Sequence, residues 1–469
     1  MSSVNHSKSN SLSEHITANE PNGAPKKLPR VKMLTFNTWG LKVVSKHRKA
    51  RLRAIADKLA GDKVGTPIDD LAEIRGNGAD NEDPEDYDIV ALQEIWCKED
   101  WDYISLRCKD KFPYMRIFYS GILTGPGLAI LSKIPIESTF LYRFPINGRP
   151  SAFFRGDWYV GKSIAVTLLK PVSDDTYPIA IMNSHMHAPY AMTGDAAYEC
   201  HRSCQAWDFS KLANLYKKAQ YAVVIVGDLN SRPGSLPHKF LTQETGLVDS
   251  WLQLHGPQDI VQISKMNAVD QLKVGCTTCD SQLNTWRAQR QPDEAKRLDY
   301  ALIDPGKMHT VEAGVRFTER LENIGSFSDH FAYSCTLELQ KRVMEPVGST
   351  DYTQPRQLLL DRFASYEEMS RCIDKYMVTA KKQKFYRGLH FVLSVLCIIA
   401  CLVVTTFTAN KAAWSSIFWV LFATVVSVTG LLDGLISFFF GRSEIRALWE
   451  VAAEVQDAEH HLQEVLGTD

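Results

Sequence analysis

Short apolar runs, each about the length of a strand and bounded by polar turn residues, recur from residue 31 to residue 340. They predict strands over residues 31–36, 88–92, 128–131, 163–169, 179–182, 223–226, 298–303 and 331–339. The run Val223-Val-Ile-Val226 is β-branched throughout and reads as a strand buried on both faces. Between the runs the period changes to helical. Leu52, Ile55, Ala56 and Leu59 share one face of a helix predicted over 45–60, with Ser45 as its cap and Gly61 as its stop. The basic residues Lys46, His47, Arg48, Lys49 and Arg51 read as its solvated side. A second helix is predicted over 206–217. Alternating strands and helices without a repeat imply one α/β domain over 31–340, its stacked sheets covered by helices. Residues 1–30 are polar and read as a disordered leader, and 69–86 as an acidic surface insert.

The pattern changes again near the C-terminus. Residues 389–409 hold no Asp, Glu, Lys or Arg, and 414–440 hold only Asp433. Each run is long enough to cross a bilayer as a helix. Asn410-Lys411 makes a tight connection, so the pair predicts a transmembrane hairpin. A linker and basic juxtamembrane helix over 341–388 carry Lys375, Lys381, Lys382, Lys384 and Arg387, against one Lys411 in the connection. By the positive-inside rule the α/β domain then faces the cytosol. The same cations would attract anionic phospholipid. Gly430 and Gly434 are spaced for close approach of the two spans; Asp433 fits either inside the second span or at its end. In the closing segment 441–469, Ile445, Leu448, Ala452, Val455 and Leu462 mark one face of an amphipathic helix, expected to pair with 358–377 as a stalk.

Composition narrows the function. The 469 residues carry a net charge of −1, which gives no basic field for nucleic acid. Ten cysteines without regular pairing suit a reducing compartment, and Cys276-Thr-Thr-Cys279, lacking a second pair, reads as an ordinary loop.

Polar chemistry collects where the strands end. Asn37 and Glu94 follow the first two strands, His185 the fifth, Asp228 and Asn230 the sixth, and Asp329-His330 precedes the last. A carboxylate, an amide and few soft ligands suit Mg²⁺, with Glu94 as the direct ligand and Asn37 beside it. Phosphodiester hydrolysis needs a base for water and donors for the equatorial oxygens. His330, next to Asp329, serves as that base; His185 donates to a phosphate oxygen; Asp228 and Asn230 position the phosphate or the attacking water. The aromatic stretch Phe153, Phe154, Trp158 and Tyr159 reads either as core or as a lipid contact.

Asn37, Gln93-Glu94, Gly227-Asp-Leu-Asn230 and Ser328-Asp-His330, in this order, resemble the endonuclease/exonuclease/phosphatase superfamily. Asn37-Thr-Trp-Gly40, Asn183-Ser-His-Met-His187 and Arg202-Ser-Cys-Gln-Ala-Trp207 narrow the resemblance to the neutral sphingomyelinases. Gly121-Ile-Leu-Thr-Gly-Pro-Gly127, Gly234-Ser-Leu-Pro-His-Lys239 and the hairpin narrow it to their fungal branch acting on inositol phosphosphingolipids. The resemblance implies a four-layer sandwich of two mixed β-sheets flanked by helices, Mg²⁺ at Glu94 and His330 as general base. It also implies a substrate-recognition pair, Asp157 and Lys162, and a membrane of the endoplasmic reticulum or mitochondrial surface. Pro189, where many animal members have an acidic residue, leaves the head group open. The implied function is a membrane-anchored phospholipase C that releases ceramide from a sphingolipid. A nuclease or inositol-phosphate phosphatase of the same fold, and an inactive tether, are the alternatives.

Overall fold

The computed structural model describes residues 28–68, 71, 85–343 and 355–467. The leader and the acidic insert lie almost wholly outside them. Among the described residues fourteen strands are present: β1 Arg30–Asn37, β2 Ile89–Gln93, β3 Tyr114–Ile117, β4 Ala129–Ser132, β5 Ile136–Arg143, β6 Ser163–Leu169 and β7 Ile179–His185. They continue as β8 Ala222–Asp228, β9 Val248–Asp249, β10 Asp299–Ile303, β11 Met308–Arg316, β12 Arg320–Leu321, β13 Gly325–Ser326 and β14 Ala332–Leu339. Two six-stranded sheets form, ordered β11-β14-β1-β2-β4-β3 and β5-β6-β7-β8-β10-β9. Each is mixed, with one parallel pair at its centre: β1 with β2, and β7 with β8.

Successive strand residues point to opposite faces, so a continuous apolar strand serves two cores at once. Val223 and Ile225 pack outward while Val224 and Val226 face the other sheet. In β1 the same alternation sends Val31 and Met33 between the sheets and Leu34 and Phe36 outward. Helices α1 Arg48–Ala60 and α2 Lys98–Cys108 cover the first sheet through Leu52, Ile55, Leu59 and Ile104. Helix α3 Glu199–Lys218 covers the second through Cys204, Trp207 and Phe209. The result is helix, sheet, sheet, helix.

Besides the two-residue β9, β12 and β13, three strands escaped the hydrophobic pattern. β5 and β3 are half exposed and carry polar residues, while β11 contains His309, Glu312 and Gly314. All three lie at or next to a sheet edge, where the pairing partner and not apolarity defines the strand. The first helix also differs from expectation. It starts at Arg48, and His47 stands before it in the left-handed region (φ 50°). Ser45 donates to the Leu41 carbonyl at 2.6 Å and is no cap. The basic run is a solvated face only in part: Lys46, His47 and Lys49 are exposed. Arg48 is buried against Asp100, and Arg51 is fully buried, donating to the carbonyls of Lys46, Thr38, Trp39 and Phe327.

The C-terminal helices are longer than the apolar runs. Helix α4 runs unbroken from Arg356 to Thr408, so the basic juxtamembrane segment and the first apolar span are one helix. Helix α5 Ser415–Leu435 leads through one π turn, Ile436–Phe440, into α6 Gly441–Leu466. Tyr366, Met369, Ile373, Tyr376, Met377 and Ala380 face Leu448, Val451, Val455 and Leu462 in the same core as α3, so the expected stalk is welded to the catalytic domain. Arg362 grips Glu244 at 2.8 and 3.0 Å. Beyond Lys384 the helices are long and apolar enough to cross a membrane and mostly bare. Asp433 pairs across the hairpin with Arg387 and, at 2.9 Å, with His390. Gly430 and Gly434 lie against Ser394 and the Phe391 ring, where a Cβ would come within 2.4 and 2.6 Å.

Candidate active site

The two sheets turn the ends of their central parallel pairs toward one cleft of about 410 Å³. The first sheet contributes Asn37 from β1, Glu94 after β2, and Asp329 and His330 before β14. The second contributes His185 from β7 and Asp228 and Asn230 from β8. Register brings the latter together: His185 stands beside Asp228, and Asp228 beside Asp299 at the start of β10. Beneath the cleft, Gln93 donates to Asn183 across the sheets at 2.8 Å, which locks the two edges at one height.

The backbone is forced here. Trp39, Glu94 and Asn230 all have positive φ, at 50°, 63° and 47°. Non-glycine residues in that region store strain and persist where the surroundings hold them. Gly40 faces the Glu94 carbonyl so closely that a Cβ would lie 2.0 Å from its oxygen. Gly227 (φ 131°) faces the Ser184 carbonyl oxygen at 1.9 Å from the same imagined atom. Both glycines let a site-bearing strand end approach its neighbour.

Asn37 is the hub. Its amide donates to Glu94 at 3.1 Å and to Asp228 at 2.9 Å. Trp96 donates to the other Glu94 oxygen at 3.3 Å. Burial, then the nearby Asp329 charge, pushes the Glu94 carboxyl upward, while Lys162 pulls it down. Burial pushes Asp228 up to about 7, against the pull of His330. His185 Nε2 lies 3.5 Å from Asp228, and its Nδ1 has no partner among the described residues. Burial, with Lys162 next, holds this imidazole well below its ordinary pKa and therefore neutral.

One expectation is corrected. The carboxylate that serves the His330 ring is Asp299, at 2.8 Å from Nδ1, and not the sequence neighbour Asp329. Asp329 turns to Arg287, at 2.5 Å. His330 Nε2 lies 3.9 Å from Asp228. Burial disfavours a charged His330, but Cys279, Asp299 and Asp228 overrule it and hold the ring's pKa well above its ordinary value. Asp299 sat in the open as the first polar residue of a predicted strand, yet only register shows which histidine it meets.

Asp157 and Lys162 lie outside the cleft lining but next to it. They form a buried ion pair at 3.1 Å, with Tyr190 donating to Asp157 at 2.5 Å. The Lys162 charge reaches both Glu94 and His185. Arg51, also unforeseen, ties the Thr38-Trp39 loop to the Phe327 carbonyl and so holds Asn37 and the His330 segment in one piece.

Glu94 and Asp228 are two buried carboxylates bridged by the Asn37 amide, a hard-oxygen pair that fits a divalent ion. Asp228, Asp299 and His330 also place ligand atoms within 4.8 Å of one another.

The sequence model of the endonuclease/exonuclease/phosphatase family matches residues 34–330, a stretch that contains every cleft residue named above. The chain belongs to that family. It is 68% identical over 441 residues to the inositol phosphosphingolipids phospholipase C of Saccharomyces cerevisiae, covering 93% of this chain and 91% of the relative. It is 33% identical over 440 residues to the Schizosaccharomyces pombe protein of the same name, covering 92% and 95%. A solved structure, sphingomyelinase C from Streptomyces griseocarneus, is similar at a TM-score of 0.43 and 16% identity, over 66% of this chain and 99% of that one.

Around the cleft of this family member, apolar loop tips face solvent. Ile122 and Leu123 are 67% and 69% exposed, and Phe154 is fully exposed. The two loops are joined by Ile122 donating to the Tyr159 carbonyl at 2.8 Å. Trp158 stacks edge-on against Phe440, at the end of the second apolar helix, with ring centres 4.9 Å apart.

Proposed function

We propose that this chain is a Mg²⁺-dependent phospholipase C that hydrolyses inositol phosphosphingolipids, with sphingomyelin as the second substrate to be tested, at a bilayer that its own C-terminal hairpin crosses. The observation that carries the reading is the convergence of both sheet edges on one cleft, in a chain 68% identical to such an enzyme along most of its length. Water adds to phosphorus as the bond to the ceramide oxygen breaks; ceramide stays in the membrane and the phosphorylated head group leaves. Glu94 and Asn37, with Asp228 adjoining, would hold the cation, which supplies Lewis-acid charge to the phosphate and opposes protonation of His330. His330, oriented by Asp299, accepts the proton of the attacking water at Nε2. Neutral His185 donates one hydrogen bond to a phosphate oxygen. Asn230 donates to the Met186 carbonyl at 3.0 Å and thereby holds the His185 and Asp228 segments together beside the phosphate. Lys162, balanced by Asp157, adds positive charge on the same side.

The membrane part of the reading rests on the hairpin and on what it aligns. Trp158 against Phe440 places the exposed loop tips on the side of the apolar helices. The catalytic domain would face the cytosol, with Lys381, Lys382 and Lys384 near anionic phospholipid head groups. Replacing Phe153 and Phe154 by serine is expected to cut hydrolysis on vesicles about 10-fold or more, from loss of two exposed aromatic anchors that would enter the bilayer. Hydrolysis of a short-chain substrate dispersed in detergent should change little. Equal loss in both assays would place these rings in the domain core instead.

The function itself is tested by assaying the purified full-length protein, with Mg²⁺ and after chelation, on inositol phosphoceramide, sphingomyelin and DNA. Metal-dependent release of inositol phosphate and ceramide is expected. Cleavage of DNA alone would overturn the reading in favour of a nuclease.

A further inference from the structure

Among the cations that line the cleft, one stands apart. Lys296 is held by Asp280 at 2.9 Å, Arg290 by Glu294 at 2.8 Å and Arg287 by Asp329 at 2.5 Å. Arg232 also lines the cleft, yet its guanidinium makes no hydrogen bond or ion pair with any described residue. Its backbone is fixed: the carbonyl accepts from Ser235 N at 3.1 Å and from Ser235 Oγ at 2.7 Å. It follows Asn230 by two positions, so its backbone is anchored beside a residue that lines the same cleft. Past Arg232 and Lys296 lies a smaller pocket of about 70 Å³, which both residues also line.

The rest of the wall fits the same chemistry. A trimethylammonium group asks for aromatic faces or a carboxylate. Residues 188–192, on the cleft, supply Ala188, Pro189, Ala191 and Met192, and their single ring, Tyr190, has its hydroxyl committed to Asp157 and to the Arg155 carbonyl, while the wall carboxylates Asp280, Glu294 and Asp329 are already paired with Lys296, Arg290 and Arg287. A polyol, by contrast, offers adjacent oxygens that a planar guanidinium fork can bind two at a time. A cation that finds no acceptor inside the protein also repels a cationic ligand, which adds discrimination of the second kind.

We propose that Arg232 builds the head-group subsite, donating to neighbouring hydroxyl oxygens of an inositol ring on the scissile phosphate and disfavouring a quaternary ammonium in the same place. The inference rests on the phospholipase C reading and names the residue that sets its head-group preference. Arg232 is a specificity-determining residue and takes no part in proton transfer.

The test measures kcat/KM of the full-length enzyme on inositol phosphoceramide and sphingomyelin in one mixed-micelle system, together with calorimetric binding of inositol 1-phosphate and phosphocholine. Wild type, Arg232→Lys, Arg232→Gln and Arg232→Glu are compared. Loss of a charge-assisted pair corresponds to about 10–100-fold. Arg232→Gln should shift the inositol-to-choline ratio by that factor, Arg232→Glu further, and Arg232→Lys least. Binding reports the same order even where a variant turns over poorly. An unchanged ratio, whether both activities fall together or neither does, overturns the proposal while leaving the phospholipase C reading intact. Wild-type enzyme that cleaves sphingomyelin but not inositol phosphoceramide overturns the substrate reading itself.

Discussion

Replacing His330 with alanine is expected to lower kcat on a sphingolipid substrate by about 10²–10⁴-fold, the usual contribution of a positioned general base, with little change in KM. The ring lines the cleft, and Nδ1 is held by Asp299 at 2.8 Å. Asp299→Asn separates this arrangement from the one the sequence suggests. An amide keeps the shape at 299 but no longer stabilises the imidazolium that forms when the water proton arrives, and its NH₂ can turn toward Nδ1 and favour the wrong tautomer. Its effect should approach that of His330→Ala. Removing a carboxylate also makes the ring a weaker base, so the acid limb of the kcat/KM profile should move to lower pH. Asp329→Asn disturbs an ion pair with Arg287 instead and should shift that limb less. If Asp299→Asn left both rate and acid limb as in wild type while Asp329→Asn moved them, the pairing seen here would not be the working one.

The second large effect concerns Glu94. Glu94→Gln is expected to lower kcat by at least about 10²–10³-fold, on the scale of losing one electrostatic stabiliser, and to abolish stimulation by Mg²⁺. Its stability signature has the opposite sign. Burial raises the Glu94 carboxyl, and it raises Asp228 from 3.8 to about 7. An acid whose folded pKa is raised contributes stability that is complete below its unfolded value and is lost as pH rises through the folded one. For Asp228 that window runs from about pH 4 to pH 7. The chelated enzyme should therefore melt lower at pH 8 than at pH 5. Mg²⁺ should raise Tm more at pH 8, because only there are the carboxylates free to meet it. Glu94→Gln removes one buried charge, so its chelated form should melt higher than chelated wild type at pH 8, yet gain less from Mg²⁺. Equal Mg²⁺ gains in wild type and variant would mean the ion sits elsewhere, with Asp228, Asp299 and His330 as the other oxygen-and-imidazole set.

The same opposition between function and stability explains the local backbone. Trp39, Glu94 and Asn230 occupy left-handed conformations, and two glycines let neighbouring carbonyls come close. The cost is met by the apolar strands behind them, which serve cores on both faces. The hairpin adds a second rigid element. Because α4 continues without a break from the catalytic core into the apolar span, the cleft and its exposed loops hold one orientation toward that span.

The sequence by itself determined the elements whose signal is local. The four β-branched residues of β8, the helical stripe of α1 and the long uncharged C-terminal runs each state their structure within a few turns of chain. The motifs likewise singled out Asn37, Glu94, His185, Asp228, Asn230 and His330, which the fold gathers around one cleft. What only the tertiary structure decided is pairing. Sequence adjacency offered Asp329 to His330, but register brought Asp299 there from another sheet. Arg51 sat in a run that looked solvated, and became buried because four carbonyls from two loops converge on it. Asp433 was unplaced until the hairpin set Arg387 and His390 opposite it. Hydrophobic periodicity is a property of one segment, whereas the partner of a charge belongs to whichever segment folding brings within reach.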